Sequence, residues 1–182
     1  MPNIKGTDVV LLRNVVKEKG PRIEGELLSK LTPELKKLYL ETVATSWNPL
    51  DAQARLYETA AQVLFPSEPN AVVKVHRELA KLSYTGVYRV FMRVPTILFV
   101  AKRAASVWRS YYDKGDASVQ NEQSSELDFQ VADFRELNKT LRDATTGHLS
   151  TIMEMTGRPA VKVALSEAHE NPWVWHISWT GK

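Results

Sequence analysis

Cysteine is absent from this sequence of 182 residues, and so are long apolar runs. Without a thiol, the chain forms no disulfide, no thiolate zinc site, no iron–sulfur cluster and no cysteine nucleophile. The most apolar stretch covers residues 94–101, whereas a membrane helix needs roughly 20 apolar residues. The first residues also lack the apolar run of a signal peptide. We therefore expect a cytoplasmic protein with no transmembrane segment.

Recognisable catalytic motifs are missing as well. No stretch resembles a nucleophile elbow, a phosphate-binding loop or a metalloprotease helix. The apolar fraction of 43% and the charged fraction of 25% are those of an ordinary globular chain. We expect a folded protein that is not an enzyme and has no catalytic residue.

Charge and periodicity both change near residue 115. Residues 1–115 contain 18 Lys and Arg against 11 Asp and Glu, whereas residues 116–182 contain 6 against 10. The basic part has apolar residues at helical spacing, with a cap signal at Thr32 and a stop signal at Gly20. Its longest predicted helix covers residues 86–112, where an internal proline predicts a kink or a break.

The acidic part alternates apolar and polar residues, which is typical of strands with one buried face. Two such strands precede a helix that we expect to begin at Asp133, and two strands follow it. The predicted fold is α+β, with N-terminal helices packed on a four-stranded antiparallel sheet that has a helix between its two hairpins (ββαββ). We expect a single domain over residues 1–182, with a helical part (1–115) and a ββαββ part (116–182).

Histidines and carboxylates form no recognisable metal motif. Four of these residues cluster at the last predicted hairpin: Glu167, His169, Glu170 and His176. Their spacing matches no zinc signature, so we expect no metal site. Glu126 and Asp128 share the outward face of a predicted strand, and we expect both to be solvated. His76 lies in the middle of a predicted helix and is interpreted as a partly buried structural residue.

Aromatic residues are the most informative set. Trp108 lies near the end of the long predicted helix, and Trp175 points inward from the last strand. Such rings either fill a core or form the wall of an apolar cavity. His148 follows a glycine that permits close backbone approach, so its imidazole either meets a ligand or hydrogen-bonds at the edge of the core. We predict a pocket between residues 86–112 and the tryptophan-bearing sheet face, lined by Phe91, Trp108, His148 and Trp175.

Several short segments, in order along the chain, resemble a bacterial family that is expanded as myxobacterial paralogues. They are Gly20-Pro21-Arg22, Leu31-Thr32-Pro33-Glu34, Pro49-Leu50-Asp51-Ala52, Val63-Leu64-Phe65-Pro66, Trp108-Arg109-Ser110-Tyr111-Tyr112-Asp113-Lys114-Gly115, Val131-Ala132-Asp133-Phe134, Gly157-Arg158 and Trp175-His176-Ile177-Ser178-Trp179. This family is similar in layout to the superfamily of haem-based nitric-oxide sensors, vinyl-reductase-type ligand domains and Golgi-transport tethering subunits. The resemblance implies the same order of helices and strands, often a hydrophobic ligand cavity, and frequent dimerisation. It transfers no catalytic residue, and the helix histidine of the haem sensors has no counterpart in residues 86–112.

These observations favour a non-enzymatic domain that binds or senses an apolar or amphipathic small molecule, with no metal and no cofactor. The alternative is a protein-interaction or adaptor module with a filled core, either a homodimer or bound to another protein. A third interpretation, contact with a membrane surface or nucleic acid, depends only on the basic charge of residues 1–115. We expect no nucleic-acid partner. The sequence leaves the ligand, the oligomeric state and the physiological partner open.

Overall fold

The computed structural model describes residues 1–83, 96–166 and 171–181, in which helices come first and the larger sheet comes second. The helices within these residues are α1 (Thr7–Glu18), α2 (Pro21–Lys30), α3 (Pro33–Glu41), α4 (Leu50–Leu64), α5 (Ala71–Ser83), α6 (Ile97–Tyr111) and α7 (Lys139–Glu154). The strands are β1 (Asn3–Lys5), β2 (Trp47–Pro49), β3 (Asp116–Gln120), β4 (Glu126–Ala132), β5 (Lys162–Ser166) and β6 (Trp173–Ser178).

The larger sheet is antiparallel, with the strand order β3-β4-β6-β5 and with α7 between its two hairpins in the chain. This topology confirms the predicted α+β fold. The pair β1 and β2 forms a second, two-stranded antiparallel sheet that sequence analysis did not predict. Strands of three residues are too short to show an alternating pattern above the background of a chain.

The register of the strands places apolar side chains opposite one another on the inner face of the sheet. Phe129 of β4 lies directly opposite Trp175 of β6, and Leu127 lies opposite Ile177. The two aromatic rings meet edge to face, with centroids 6.1 Å apart. The indole N–H of Trp175 donates to Thr146 Oγ1 of α7 at 2.9 Å, so α7 lies over this face. One cluster of buried apolar side chains includes residues of both the helical part and the sheet.

Local signals account for two of the helix boundaries. Thr32 caps α3, because its hydroxyl accepts a hydrogen bond from the Leu35 amide at 3.3 Å. Gly20 separates α1 from α2 with a φ of 96°, a conformation that glycine adopts without steric cost. Both signals were predicted from the sequence, and the structure confirms them.

The predicted start of the helix between the hairpins is wrong. The helix begins at Lys139, where the side chain of Asn138 accepts from the Leu141 amide at 3.1 Å. Asp133 instead adopts a left-handed conformation with a φ of 56°, and its amide donates to Asn171 Oδ1 at 2.8 Å. A contact between distant residues therefore makes Asp133 a turn residue, although its residue type suits a helix cap.

The predicted helix over residues 86–112 is described only from Thr96 onward. The Thr96 hydroxyl caps α6 by accepting from the Phe99 amide at 3.2 Å. Residues 84–95 lie outside the described residues, and with them Phe91 and the predicted kink at Pro95. Across the described ranges, no helix is both long and apolar enough to cross a membrane.

Candidate functional site

Three helices bring Asp8, His76 and His148 together. Asp8 lies in the first turn of α1, His76 lies in α5, and His148 lies in α7. Helix α5 packs along α7, and Gly147 makes this contact close. A Cβ atom at Gly147 would lie only 2.6 Å from the carbonyl oxygen of Val73 and 2.9 Å from His76 Cβ. The expected close backbone approach beside His148 is therefore present.

The three side chains form one compact polar cluster, which we call the Asp8 cluster. His148 Nε2 lies 2.9 Å from Asp8 Oδ2, and His76 Nδ1 lies 3.2 Å from His148 Nε2 and 3.6 Å from Asp8 Oδ2. The side chain of His76 is fully buried, whereas those of Asp8 and His148 are 17% and 27% exposed. The cluster is therefore closed on the His76 side and open to solvent beside Asp8 and His148.

Electrostatics fix the protonation states of two members of the cluster. Burial by itself raises the pKa of Asp8, but the electrostatic attraction and hydrogen bond of His148, together with the nearby His76, outweigh burial and hold the pKa of Asp8 well below its usual range. Burial lowers the pKa of His76. At neutral pH, Asp8 is ionised and His76 is a neutral imidazole. Because an ionised carboxylate can only accept, the N–H group at His148 Nε2 donates a hydrogen bond to Asp8 Oδ2. One carboxylate oxygen and two imidazole nitrogens thus converge, a set of atoms that can also hold a divalent cation.

Two of the predicted pocket residues belong to a continuous row of aromatic rings. Trp108 stacks on Tyr112 with centroids 4.2 Å apart and lies 6.3 Å from the ring of Phe129. Phe129 in turn contacts Trp175. The indole N–H of Trp108 donates to the Lys114 carbonyl at 3.1 Å. These rings pack between α6 and the sheet.

His148 lies on a different side of α7 from this aromatic row. Thr146, which bonds Trp175, precedes His148 by two residues, and two residues turn an α-helix by about 200°. His148 accordingly reaches α1 and α5, whereas Thr146 reaches the sheet. The structure thus brings Trp108 and Trp175 near each other through Phe129, but it directs His148 elsewhere. The role of Phe91 in a pocket stays a prediction.

A cleft of about 190 Å³ lies between the start of α6 and the open end of the sheet. Its wall includes Ile97 and Leu98 of α6, Trp179 just after β6, and Arg158. Thr96, Gln123, Ser124 and Gly181 complete it. This cleft lies between the predicted helix and the end of the tryptophan-bearing strand, although its lining residues are not those that sequence analysis named.

The other polar predictions need correction. Asp128 is only 7% exposed and not solvated, because His176 lies directly opposite it on β6 and Asn121 covers it from the turn. Asp128 bonds His176 Nδ1 at 2.5 Å and accepts from Asn121 Nδ2 at 2.6 Å.

His76 is fully buried rather than partly buried, because Tyr57 packs edge to face against its ring. Residues 167–170, which include three members of the predicted hairpin cluster, lie outside the described residues.

Asp8 and the two histidines are not grouped by any pattern in the sequence. His148 is separated from His76 by 72 positions and from Asp8 by 140, so no spacing pattern joins them. The one usable signal was Gly147, which predicted a close backbone approach beside His148.

No known protein-family model and no curated protein matches the chain significantly. Solved structures do match. The chain is similar to the unliganded Fe(II) H-NOX protein of K. algicida, with 9% identity, 98% of both chains covered and a TM-score of 0.69. It is also similar to the H-NOX protein of S. oneidensis in the Fe(II)NO state, with 14% identity and a TM-score of 0.67. That match covers 98% of this chain and 100% of the other. For an oxygen-binding H-NOX domain related to soluble guanylate cyclases, the identity is 11%, the coverage 97% and 93%, and the TM-score 0.61.

At these identities the likeness is one of fold. The chain has the α+β fold of H-NOX domains over almost its whole length, which agrees with the layout that the resemblance to nitric-oxide sensors implied. The relation to myxobacterial paralogues stays a prediction.

The described residues do not fit a haem. Haem iron is held by histidine, cysteine, methionine or tyrosine, and none of the described residues that line the cleft beside α6 is of these types. The cleft volume of about 190 Å³ is also below the roughly 300–1,000 Å³ of pockets for drug-sized ligands. His76 and His148 contact each other and Asp8, and His176 lies on the outer side of β6 with Asp128.

Proposed function

We propose that residues 1–182 act as one non-enzymatic domain that binds a small amphipathic molecule and signals its presence through a change of conformation or partner. The cleft beside α6 carries this proposal. It lies between a helix and the end of a tryptophan-bearing strand, where apolar and polar groups converge. The small size of the cleft favours a compact ligand.

The chemistry of the cleft favours a ligand with an apolar body and an anionic group. Leu98 and Trp179 offer apolar surface, and the half-buried Arg158 offers a guanidinium. Within the described ranges, the Arg158 side chain makes no hydrogen bond or ion pair. A guanidinium can bind a carboxylate or a phosphate through two parallel hydrogen bonds.

The fold supports a sensing role. The similar structures include H-NOX proteins in nitric-oxide and oxygen complexes, and the match covers almost all of each chain. Because the described residues do not fit a haem, we propose that this chain uses the same architecture for a different small ligand.

Native mass spectrometry of the freshly purified full chain tests the proposal. We expect an organic adduct that is lost when the protein is denatured. The small anionic aromatic probe benzoate should bind the ligand-free chain, and Arg158→Gln should weaken binding at least about tenfold. The matched control is Arg135→Gln, which changes an exposed arginine outside the cleft wall. Absence of an adduct together with equal probe binding by both variants would refute the proposal. An adduct with the mass of haem would contradict the conclusion that the described residues do not fit a haem.

A protein-interaction module is the second candidate function. Exposed apolar side chains at the end of α3 favour it, since Leu40 and Val43 are 54% and 57% exposed and close in sequence. Scattered exposed apolar residues are common on monomers, so the adjacency of these two is the specific observation. The same mass spectra test it: a dimer that Leu40→Glu dissociates would support this function, and a monomer at all concentrations would remove the homodimer version.

A further inference from the structure

We propose that Asp8, His76 and His148 bind a divalent first-row transition metal ion, with Zn²⁺ as the best fit. Asp8 Oδ2, His76 Nδ1 and His148 Nε2 would be the protein ligands, and a solvent molecule would complete the coordination. This inference does not depend on the ligand proposed for the cleft beside α6, because the two sites share no residue.

The distances within the Asp8 cluster fit a metal ion. Zinc lies about 2.0–2.2 Å from histidine nitrogen and carboxylate oxygen, so ligand atoms at the corners of a tetrahedron lie roughly 3.3–3.5 Å apart. The three distances here are 2.9, 3.2 and 3.6 Å. An ion above this triangle would contact all three atoms after shifts of a few tenths of an ångström.

The protein also holds the ligand atoms in place. Three separate helices carry them, and Gly147 allows α7 to approach α5 closely enough for His148 to reach His76. The ring of Tyr57 packs edge to face against His76 at 4.5 Å, which restricts the orientation of that imidazole. Ligands on rigid elements keep their geometry better than ligands on loops.

The exposure of the ligand side chains agrees with an open metal site. The partial exposure of Asp8 and His148 leaves a path for the ion and room for a water ligand. Three protein ligands with one open position are typical of zinc sites that bind an exogenous molecule.

The ligand types restrict which metal can bind. Two imidazoles and one carboxylate suit Zn²⁺, Co²⁺, Ni²⁺, Cu²⁺ and Fe²⁺, whereas Mg²⁺ and Ca²⁺ prefer oxygen ligands. The competing explanation is a purely hydrogen-bonded cluster, in which the His148 Nε2 proton lies between Asp8 and His76 and no ion enters.

Metal titration of the full chain without a histidine tag separates these explanations. After treatment with a chelator, the protein is titrated with ZnCl₂ by calorimetry and with CoCl₂ by visible absorption. We expect one ion per chain, intense d–d absorption from a four-coordinate Co²⁺ site, and an unfolding temperature that rises with zinc concentration. Absence of stoichiometric binding of either ion would overturn the proposal.

Variants assign the binding to the cluster. His148→Ala changes the most exposed of the three ligands, and we expect at least a 100-fold loss of zinc affinity. Asp8→Asn keeps the side-chain shape, and we expect at least a tenfold loss, so one variant remains informative if the other fails to fold. The matched control is His176→Ala, because His176 also pairs with an aspartate but has no third ligand among the described residues. Unchanged affinity in a folded His148→Ala or Asp8→Asn variant would overturn the assignment.

Discussion

Substitution of Gly147 by alanine should destabilise the protein, although alanine is the better helix former. The new Cβ would lie 2.6 Å from the Val73 carbonyl oxygen and 3.2 Å from the Arg77 amide nitrogen, while ordinary contact begins at 3.4 Å. Both of these atoms belong to the backbone of α5, so the helices must move apart. Overpacking of this kind lowers the free energy of unfolding by about 1–3 kcal/mol, and the higher helix propensity of alanine offsets about 1 kcal/mol of this loss. Because the contacted atoms are backbone and cannot rotate away, we expect an overpacking cost in the upper part of this range and a net loss of about 1–2 kcal/mol.

Thermal unfolding followed by circular dichroism measures this effect. For a chain of this size, 1 kcal/mol corresponds to about 2–4 °C in Tm, so we expect Gly147→Ala to lower Tm by about 2–8 °C. Gly25→Ala is the matched control, because Gly25 lies in α2 with no atom near its missing Cβ. The control should raise stability by about 0.5–1 kcal/mol. If Gly147→Ala raised Tm as the control does, the close contact between α5 and α7 would be refuted.

Three further substitutions test individual contacts. Gly115→Ala should lower the free energy of unfolding by at least about 1–2 kcal/mol, because Gly115 has a φ of 82° and a Cβ there would lie 2.8 Å from Phe134. An unchanged midpoint of urea unfolding would contradict this geometry. Thr146→Val removes the acceptor of the buried Trp175 indole N–H, which should cost about 1–3 kcal/mol and alter the near-ultraviolet circular dichroism. Burial raises the pKa of Tyr39 to about 12. Between pH 10 and 12 the native state therefore keeps a proton that the unfolded chain loses, and the free energy of unfolding should fall over this range. Tyr39→Phe should lose less stability over that range, and an identical pH profile would contradict burial of this hydroxyl.

The order of helices and strands could be predicted because each element has its own local signal. Alternation in β4 and β6 predicted their buried faces, and Thr32 predicted the start of α3. Boundaries were less certain where two residues could serve the same role. Asp133 and Asn138 both suit a helix cap, and the hydrogen bond from Asp133 to the distant Asn171 decided between them. The pair β1 and β2 was missed because three residues are too few for a period.

Polar residues were harder to interpret than apolar ones. Alternation assigned Asp128 to the outward face of its strand, but it could not reveal that His176 and Asn121 would cover that position. Likewise, helical spacing placed His76 on a helix without indicating which side chains would surround it. The burial of a polar group depends on neighbours from other elements, and the periodicity of one segment contains no information about them.

The amino-acid sequence alone established the absence of thiol chemistry, the change from helical to strand periodicity, and the α+β class, since these depend on residue types and their spacing. The Asp8 cluster arises only from the tertiary structure, because α1, α5 and α7 bring together residues up to 140 positions apart. The same holds for the cleft beside α6, whose wall combines a helix start, a turn and the end of a strand. Distances between side chains on different elements follow from how those elements pack, and in this fold Gly147 permits the close approach of α5 and α7 that brings His148 to His76.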